Sequence, residues 1–182
     1  MIEVEIRARV NDLNKVKNKL NEIGASFVKN EKQVDRIFGH PMFLDKNKII
    51  IEGGLSARIR ENNEKKLLEF KEIVRKGGGM EVSSELNDVK IGLKFLEKLK
   101  FEEAFTVSKK RDIFLHDGFT VCLDKVDELG DFIEIEKMIS SSDEKERVRQ
   151  ECLQLLHKIV PDAKVENRKY GDLMQEKINK NE

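Results

Sequence analysis

Pairs of like charges that stand two residues apart recur along this sequence. The pairs are Glu3 with Glu5, Arg58 with Arg60, Lys109 with Arg111, and Glu134 with Glu136. Residues two apart in a β-strand project from the same face, so each pair sets like charges side by side. At about 4 Å with an effective dielectric near 20, such charges repel by about 4 kcal/mol. Acidic pairs therefore predict divalent cations, and basic pairs predict a polyanion whose phosphate oxygens suit the planar Arg fork.

For any single pair, the water-facing side of an ordinary antiparallel sheet is the more common explanation, because exposed charges are common. The repetition of Glu-x-Glu and Arg-x-Arg on several strands favours the interpretation that these charges bind cations and a polyanion. If the sheet curls into a barrel with its aliphatic faces outward under helices, the charged faces meet in the lumen. We therefore predict that carboxylates and basic groups converge inside a closed sheet.

The apolar pattern predicts strands and helices in an α+β order, with an antiparallel sheet too long to stay flat. Alternation over 2–10 indicates the first strand, and Asn11-Asp12 and Gly24 bracket the first helix. Further strands are predicted at 26–38, at 119–124 and at 132–138, and three short strands are predicted within 48–71. Another strand follows the loop at 76–79 and ends at 86, and the segment 101–116 is predicted as a strand in broken or hairpin form. Helices are predicted from Asp88, from Ser142 to Ile159, and over 170–178, with a flexible loop at 76–79 and a hairpin turn at Asp117-Gly118.

Composition narrows the class of protein. The 182 residues contain 35 Lys and Arg and 35 Asp and Glu, so the formal net charge is zero, which argues against a nucleic-acid or membrane-surface binder. No apolar run reaches the roughly 20 residues needed to span a bilayer, and the acidic N-terminus is no signal peptide. Cys122 and Cys152 are expected to be buried apolar residues. We expect a single cytoplasmic domain over residues 1–182.

Several motifs together resemble the CYTH family, also called triphosphate tunnel metalloenzymes, and within it class IV adenylyl cyclases and their archaeal relatives. Glu3-Val4-Glu5-Ile6-Arg7 is similar to the Glu-x-Glu-x-Lys signature of that family, with Arg7 in place of Lys. The most specific match is the segment from Leu123 to Glu136. The other matching segments are Gln33-Val34-Asp35, Ala57-Arg58-Ile59-Arg60, Leu68-Glu69-Phe70-Lys71, Val107-Ser108-Lys109-Lys110-Arg111 and Tyr170-Gly171-Asp172-Leu173.

The resemblance implies a closed antiparallel β-barrel of about eight strands with helices packed outside. It implies phosphate binding by basic residues, namely Arg7, Arg58, Arg60, Lys71, Lys109 and Arg111. It implies Mg²⁺ or Mn²⁺ held by carboxylates, with the candidates Glu3, Glu5, Glu85, Asp124, Glu134 and Glu136. Arg7, Lys71 and Asp124 are the residues it places in the catalytic step.

Three functions stay open at the level of the sequence. The first is a class IV adenylyl cyclase reaction, from ATP to cyclic AMP and pyrophosphate. The second is a triphosphatase that hydrolyses thiamine triphosphate or inorganic tripolyphosphate, and the third is a non-catalytic nucleotide or polyphosphate sensor. Met42-Phe43-Leu44 replaces an Arg-Asp-Phe run of cyclase-like relatives, and basic residues are missing around Met80, where Glu85 is the best remaining match. A monomer and a homodimer are equally compatible with the sequence.

Overall fold

The computed structural model of the protein describes residues 2–74 and 80–181. The predicted loop at 76–79 lies outside these residues. The strands are β1 (Ile2–Arg9), β2 (Ser26–Gly39), β3 (Leu55–Asn62), β4 (Lys66–Glu72), β5 (Glu81–Glu85), β6 (Glu102–His116), β7 (Phe119–Val126) and β8 (Gly130–Ile139). The helices are α1 (Leu13–Glu22), α2 (Val89–Lys98), α3 (Lys145–Ile159) and α4 (Tyr170–Asn181), with short 3-10 turns at Pro41–Phe43 and Ser142–Glu144.

The eight strands are hydrogen-bonded in the order β1-β8-β7-β6-β2-β3-β4-β5. The pairs β1·β8, β7·β8, β2·β3, β3·β4 and β4·β5 are antiparallel. The predicted α+β class, with eight antiparallel strands and accompanying helices, is therefore confirmed. Closure of the sheet into a barrel stays a prediction.

The chain divides into two compact units. Unit 1 comprises Met1–Glu31 and Lys110–Asn167, and unit 2 comprises Lys32–Lys109 and Arg168–Glu182. Within the described residues, no helix is both long and apolar enough to cross a membrane. The expectation of a single domain over 1–182 stays a prediction.

The core of unit 1 lies between the aliphatic faces of its strands and two helices. Strand β1 contributes Val4, Ile6 and Ala8, and β7 and β8 contribute residues such as Val121 and Ile135. Helix α1 adds Val16 and Leu20, and α3 adds Val148, Cys152, Leu155, Leu156 and Ile159. Because side chains alternate along a strand, burying this face leaves the intervening charged residues of β1, β7 and β8 on the other.

The core of unit 2 is smaller and lies under α2. Ala57, Ile59 and Leu96 are fully buried, and each large apolar side chain contributes about 1.5–3 kcal/mol to stability by leaving water. A Cβ at Gly92 would approach the Cδ1 atom of Leu86 to 2.8 Å, so a larger residue there would require the Leu86 side chain to shift. The residues on either side of Ile59 in β3 are Arg58 and Arg60, which therefore lie on the opposite face.

Local signals in the sequence placed most element boundaries correctly. Asp12 and Asp88 are the N-caps of α1 and α2, and each carboxylate accepts hydrogen bonds from backbone N–H groups of the first turn. Asp117 and Gly118 both have positive φ, of 48° and 79°, as the tight turn of a hairpin requires.

One prediction about strands was wrong in detail, and another was confirmed in one of its two forms. The first of the three short strands expected within 48–71 is reduced to an isolated bridge between Leu44 and Ile50. The carboxylate of Asp45 accepts hydrogen bonds from the backbone N–H groups of Asn47 and Ile49, which commits this segment to a turn. Of the two forms expected over 101–116, the break is absent, since β6 contains neither Gly nor Pro and runs continuously from Glu102 to His116. The hairpin form is present, because β6 and β7 are neighbours in the sheet on either side of the Asp117-Gly118 turn.

Candidate active site: two groups of paired charges

The charged face of unit 1 carries a set of residues that we call the acidic group. Its members are Glu3, Glu5 and Arg7 of β1, Arg111 of β6, Asp124 of β7, and Glu134 and Glu136 of β8. The β1·β8 register sets Glu5 opposite Glu136 and Arg7 opposite Glu134. Five carboxyl groups thus share one face with two guanidinium groups, which leaves an excess of negative charge.

Arg111 joins the carboxylates of β7 and β8. Its Nε and Nη2 atoms donate to the two oxygens of Asp124, each at 2.6 Å, and Nη2 also donates to Glu134. Its Nη1 lies 3.5 Å from Oε1 of Glu136. Asp124 is fully buried, so this bidentate pair is the neutralising contact that its carboxylate needs. Burial opposes the charged guanidinium, but the charges of Glu134 and Asp124 raise the pKa of Arg111 well above its usual value.

Arg7 performs a similar task for the carboxylates of β1 and β8. Its Nε donates to Oε1 of Glu134, and its Nη2 lies 3.9 Å from Oε2 of Glu5. Arg7 and Glu134 are both buried, with Glu134 only 3% exposed. Glu134 therefore lies between two guanidinium groups, which compensate its negative charge.

Three carboxylates of the acidic group are close enough to share one cation. Each of Glu5, Glu134 and Glu136 offers an oxygen, and these oxygens all lie within 4.8 Å of one another. Burial, followed by the negative charge of Glu134, raises the pKa of Glu136 to about 8, and the charges of Glu3 and Glu5 act in the same direction. A carboxyl group held protonated by its neighbours is one that a divalent cation would ionise. The all-oxygen donor set fits the hard cations Mg²⁺ and Mn²⁺.

Cys122 also faces this cluster, although the sequence indicated only a small buried residue. It lies opposite Glu134 in the β7·β8 register, and its Sγ is 3.9 Å from Oε1 of Glu136. Its burial is confirmed, and this burial raises the pKa of the thiol. The thiol is therefore protonated at neutral pH.

The charged face of unit 2 carries a second set, which we call the basic group. Its members are Asp35 of β2, Arg58 and Arg60 of β3, Glu69 and Lys71 of β4, Glu81 of β5, and Lys109 of β6. Cross-strand register sets Asp35 opposite Arg60, Arg58 opposite Glu69, and Lys71 opposite Glu81. Each basic residue of β3 and β4 therefore has an acidic residue beside it on the next strand.

Arg58 contacts three carboxylates of the basic group. Its Nε donates to Oε2 of Glu69 at 2.7 Å, its Nη1 donates to Oδ2 of Asp35 at 3.4 Å, and its Nη2 lies 3.6 Å from Oε1 of Glu81. Burial opposes the charge, but the carboxylates of Asp35 and Glu69 raise the pKa of Arg58. Arg60 completes the fork on Asp35, with Nε and Nη2 at 2.7 and 2.6 Å from the two carboxylate oxygens.

The two lysines of the basic group differ in their surroundings. Lys71 is partly exposed, and its Nζ lies 2.9 Å from Oε2 of Glu81. Lys109 is only 5% exposed, and its Nζ stands 5.1 Å from the centroid of the Tyr170 ring, where the face of an aromatic ring attracts a cation. Tyr170 thus packs against a predicted phosphate ligand.

The structure brings most of the predicted site residues into these two groups. Glu85 is placed differently: its side chain is 59% exposed, and its Oε2 lies 3.3 Å from Nζ of Lys65. Its assignment as a metal ligand stays a prediction. Met42 and Met80, near which the family resemblance implies basic residues that this chain lacks, are both exposed.

Three carboxylates of the basic group were missed as functional candidates. Asp35, Glu69 and Glu81 were visible in the sequence, but a single strand gives no sign of which acid will lie beside which base. The useful signal was the alternation Glu69-x-Lys71, which places opposite charges on one face of β4.

Comparison with known proteins identifies the family of this chain. Residues 1–170 match the model of the CYTH domain. The chain belongs to the CYTH domain family. A CYTH relative from Methanocaldococcus jannaschii, named "Putative adenylate cyclase", is 31% identical over 161 residues, which are 86% of this chain and 88% of that protein.

Solved structures resemble this CYTH chain over nearly its full length. A protein of Pyrococcus horikoshii superimposes with a TM-score of 0.80 at 29% identity, over 96% of this chain and 99% of that one. A Hippeastrum protein, described as an adenylyl cyclase homologue with a dominant triphosphatase activity, superimposes with a TM-score of 0.68 over 96% of both chains. Its identity of 16% makes that likeness one of fold alone.

Proposed function

We propose that this CYTH protein is a metal-dependent enzyme that acts on a triphosphate, with the cyclisation of ATP as its first candidate reaction. The observation that carries the proposal is the sorting of buried charges into two groups, one with clustered carboxylates and one with adjacent guanidinium forks. Membership of the CYTH family and the 31% identity to a protein named as a cyclase support it.

Within this proposal the basic group binds phosphate oxygens. Arg58 and Arg60 present planar forks that suit phosphate geometry, and Lys71 and Lys109 add point charges. Arg7 and Arg111 would also contact phosphate, as the family resemblance implies. Such contacts position the triphosphate and stabilise the charge that shifts between its oxygens during phosphoryl chemistry.

The acidic group would hold the divalent cation, principally through Glu5, Glu134 and Glu136, with Glu3 and Asp124 as further candidates. When bound, Mg²⁺ or Mn²⁺ supplies Lewis-acid polarisation of a phosphoryl group. Arg7 and Arg111 hold Glu134 and Asp124 in fixed orientations, so the carboxylates are ordered before the cation arrives. A preorganised ligand set of this kind lowers the entropic cost of metal binding.

In the cyclase reaction, the ribose 3′-oxygen bonds to the α-phosphorus and the bond from that phosphorus to the bridging oxygen breaks. Pyrophosphate leaves with the electron pair, and the proton of the hydroxyl passes to solvent. The residues of the basic group would hold the leaving pyrophosphate in line with the attacking oxygen. Lys71 is the candidate for neutralising the charge that this leaving group gains.

Triphosphate hydrolysis is the second candidate, and one observation favours it. The family resemblance implies basic residues near Met42 and Met80 in cyclase-like relatives, whereas these two methionine side chains, 72% and 61% exposed, offer no charge. An enzyme that binds only the triphosphate part of its substrate does not need these basic residues. A triphosphatase would then use the same groups, with water attacking the terminal phosphorus and diphosphate leaving.

Product identity separates the candidates. The purified protein would be incubated with ATP, thiamine triphosphate or tripolyphosphate in the presence of Mg²⁺ or Mn²⁺. Cyclic AMP with pyrophosphate supports the cyclase, and release of inorganic phosphate supports the triphosphatase. Tight binding without turnover would instead support the sensor. A protein that neither binds nor turns over any of the three compounds would refute the proposal.

A further inference from the structure

One acidic residue, Asp35, lies at the centre of the basic group although no phosphate or metal role is assigned to it. Its side chain is buried, with the residue only 5% exposed, and two guanidinium groups contact its oxygens. We propose that Asp35 is the positioning residue for the two phosphate-binding arginines, Arg58 and Arg60. This inference rests on the proposed function, and it names the residue that orients the triphosphate ligands.

The contact with Arg60 fixes the plane of its guanidinium group. Nε and Nη2 donate to Oδ1 and Oδ2 of Asp35 at 2.7 and 2.6 Å, so two parallel hydrogen bonds hold one edge of the fork. Arginine has five N–H donors, and this fork uses two. The other three point away from Asp35, in a plane that the carboxylate determines.

Asp35 also restrains Arg58. The Nη1 atom of Arg58 donates to Oδ2 of Asp35 at 3.4 Å, while its Nε donates to Glu69 at 2.7 Å. Because Asp35 and Arg60 lie directly opposite each other on β2 and β3, the carboxylate stands on paired strands rather than on a loop. Ligands held in this way lose less side-chain entropy when a triphosphate binds.

The charge that this role requires is present at neutral pH. Burial acts to raise the pKa of Asp35, but the hydrogen bond from Arg60 and the charges of Arg58, Arg60 and Lys109 lower it below its usual value. The carboxylate is therefore ionised, and each of its two oxygens accepts from a guanidinium group.

A second Arg–carboxylate fork on the same strand provides a matched control. Arg36, the next residue along β2, donates from Nε to Oε1 of Glu103 at 2.8 Å and also from Nη2 to Oε2. Arg36 points to the opposite face of the strand from Asp35, and its partner lies at the surface. Glu103→Gln thus removes the same chemistry without touching the basic group.

The test is a double-mutant cycle read by calorimetric titration of tripolyphosphate in Mg²⁺. Asp35→Asn should weaken binding about tenfold, within the coupling found for residues of one hydrogen-bond network, whereas Glu103→Gln should leave it unchanged. In an Arg60→Gln background, Asp35→Asn should have a clearly smaller effect, because only Arg58 then remains for Asp35 to position. A residue with a merely structural role would weaken binding by the same factor in both backgrounds.

The results against the inference are distinct from those against the proposed function. If the wild type binds tripolyphosphate and Asp35→Asn binds it equally well, or loses the same factor in both backgrounds, Asp35 is not a positioning residue. If the wild type fails to bind, the proposed function fails and this inference with it. If circular dichroism shows that Asp35→Asn does not fold, the Asp35→Glu variant is tested instead. Weakened binding at an unchanged unfolding temperature would support the positioning role of Asp35, and wild-type affinity would overturn it.

Discussion

Glu5 and Glu136 lie directly opposite each other in the β1·β8 pair, and their carboxylate oxygens lie within 4.8 Å of each other and of Glu134. Without a cation, three carboxyl groups this close cannot all ionise easily. The raised pKa of Glu136, about 8, is the consequence of its burial and of the charge on Glu134. The fold thus stores unfavourable electrostatic energy that a bound divalent cation would relieve.

The metal-free protein should lose stability as the pH rises from 6 to 9. Below about 4.5 the Glu136 carboxyl is protonated in both the folded and the unfolded chain. Between that value and about 8 only the folded chain keeps the proton, so the contribution of this group to stability falls with rising pH and then levels off. The total loss should be on the order of a few kcal/mol, measurable as a lower unfolding temperature in chelator.

Glu136→Gln removes this titration, so the variant should show a flatter profile and should be more stable than the wild type at pH 9. Adding Mg²⁺ at that pH should restore stability to the wild type and not to the variant. Glu151→Gln, on α3 where the carboxylate pairs with Lys137 and Arg147, should keep the wild-type profile between pH 6 and 9. Equal slopes for wild type and Glu136→Gln would argue against the raised pKa.

The guanidinium forks of β3 should matter for affinity beyond their charge. Replacing both Arg58 and Arg60 by Ala would leave Asp35 and Glu69 as buried, uncompensated charges, which is strongly destabilising. Arg58→Lys with Arg60→Lys keeps the charges while removing the bidentate donors. We expect this variant to fold and to bind tripolyphosphate at least about tenfold more weakly, because hydrogen bonds to charged groups are worth about 1.5–3 kcal/mol.

Arg36→Lys is the matched change on the opposite face of the sheet, and it should leave the tripolyphosphate affinity as it is. Calorimetry of the two variants beside the wild type gives the comparison. If the two changes prove equally harmless, phosphate recognition does not depend on Arg58 and Arg60.

Glu81 should act as an internal competitor for the triphosphate. Its carboxylate lies 2.9 Å from Nζ of Lys71 and 3.6 Å from Nη2 of Arg58, and therefore occupies cations that phosphate oxygens would use. The side chain is partly exposed, and burial opposes its charge while Lys71 lowers its pKa. Glu81→Gln should strengthen tripolyphosphate binding severalfold, since removing one nearby like charge is worth roughly 1 kcal/mol.

The effect would be read as a lower dissociation constant at low ionic strength, and it should shrink as salt screens the charges. Glu103→Gln, which removes a carboxylate paired with Arg36 elsewhere in unit 2, should give no such gain. Weaker binding by Glu81→Gln would mean that Glu81 orders Lys71 and Arg58 rather than competing for them.

Much of the fold was predictable because local rules decide it. The alternation of Val4, Ile6 and Ala8 with charged residues fixed both the existence of β1 and the face that it buries. Asp12 and Asp88 marked helix starts through their side-chain caps. The segment at 48–52 was misjudged because its apolar run resembles a strand, whereas the Asp45 turn that prevents extended pairing lies outside the run.

The candidate site was predictable in part. Like-charge pairs and family motifs pointed to Glu134, Glu136, Arg58 and Arg60, and the structure places them among paired charges. The acids that pair with the bases were not predictable, because the neighbours of Arg58 depend on the register of β2, β3 and β4. The place of Cys122 among the carboxylates was not predictable for the same reason, because only the β7·β8 register sets it beside Glu134.

The central claim is that the acidic group binds a divalent cation and that the basic group binds the phosphates of a triphosphate. If the protein binds the metal and the triphosphate together, each must strengthen the binding of the other, and by linkage the factor is the same in both directions. The Glu134→Gln plus Glu136→Gln variant should therefore lose the metal-dependent part of the affinity and keep the part due to the basic group.

The most direct measurement is calorimetric titration of tripolyphosphate into the wild type and into this double variant, each with and without Mg²⁺. We expect Mg²⁺ to strengthen binding by the wild type about tenfold or more, within the usual range of coupling between sites, and to have little effect on the variant. The same Mg²⁺ dependence in both proteins, or none in the wild type, would contradict the claim.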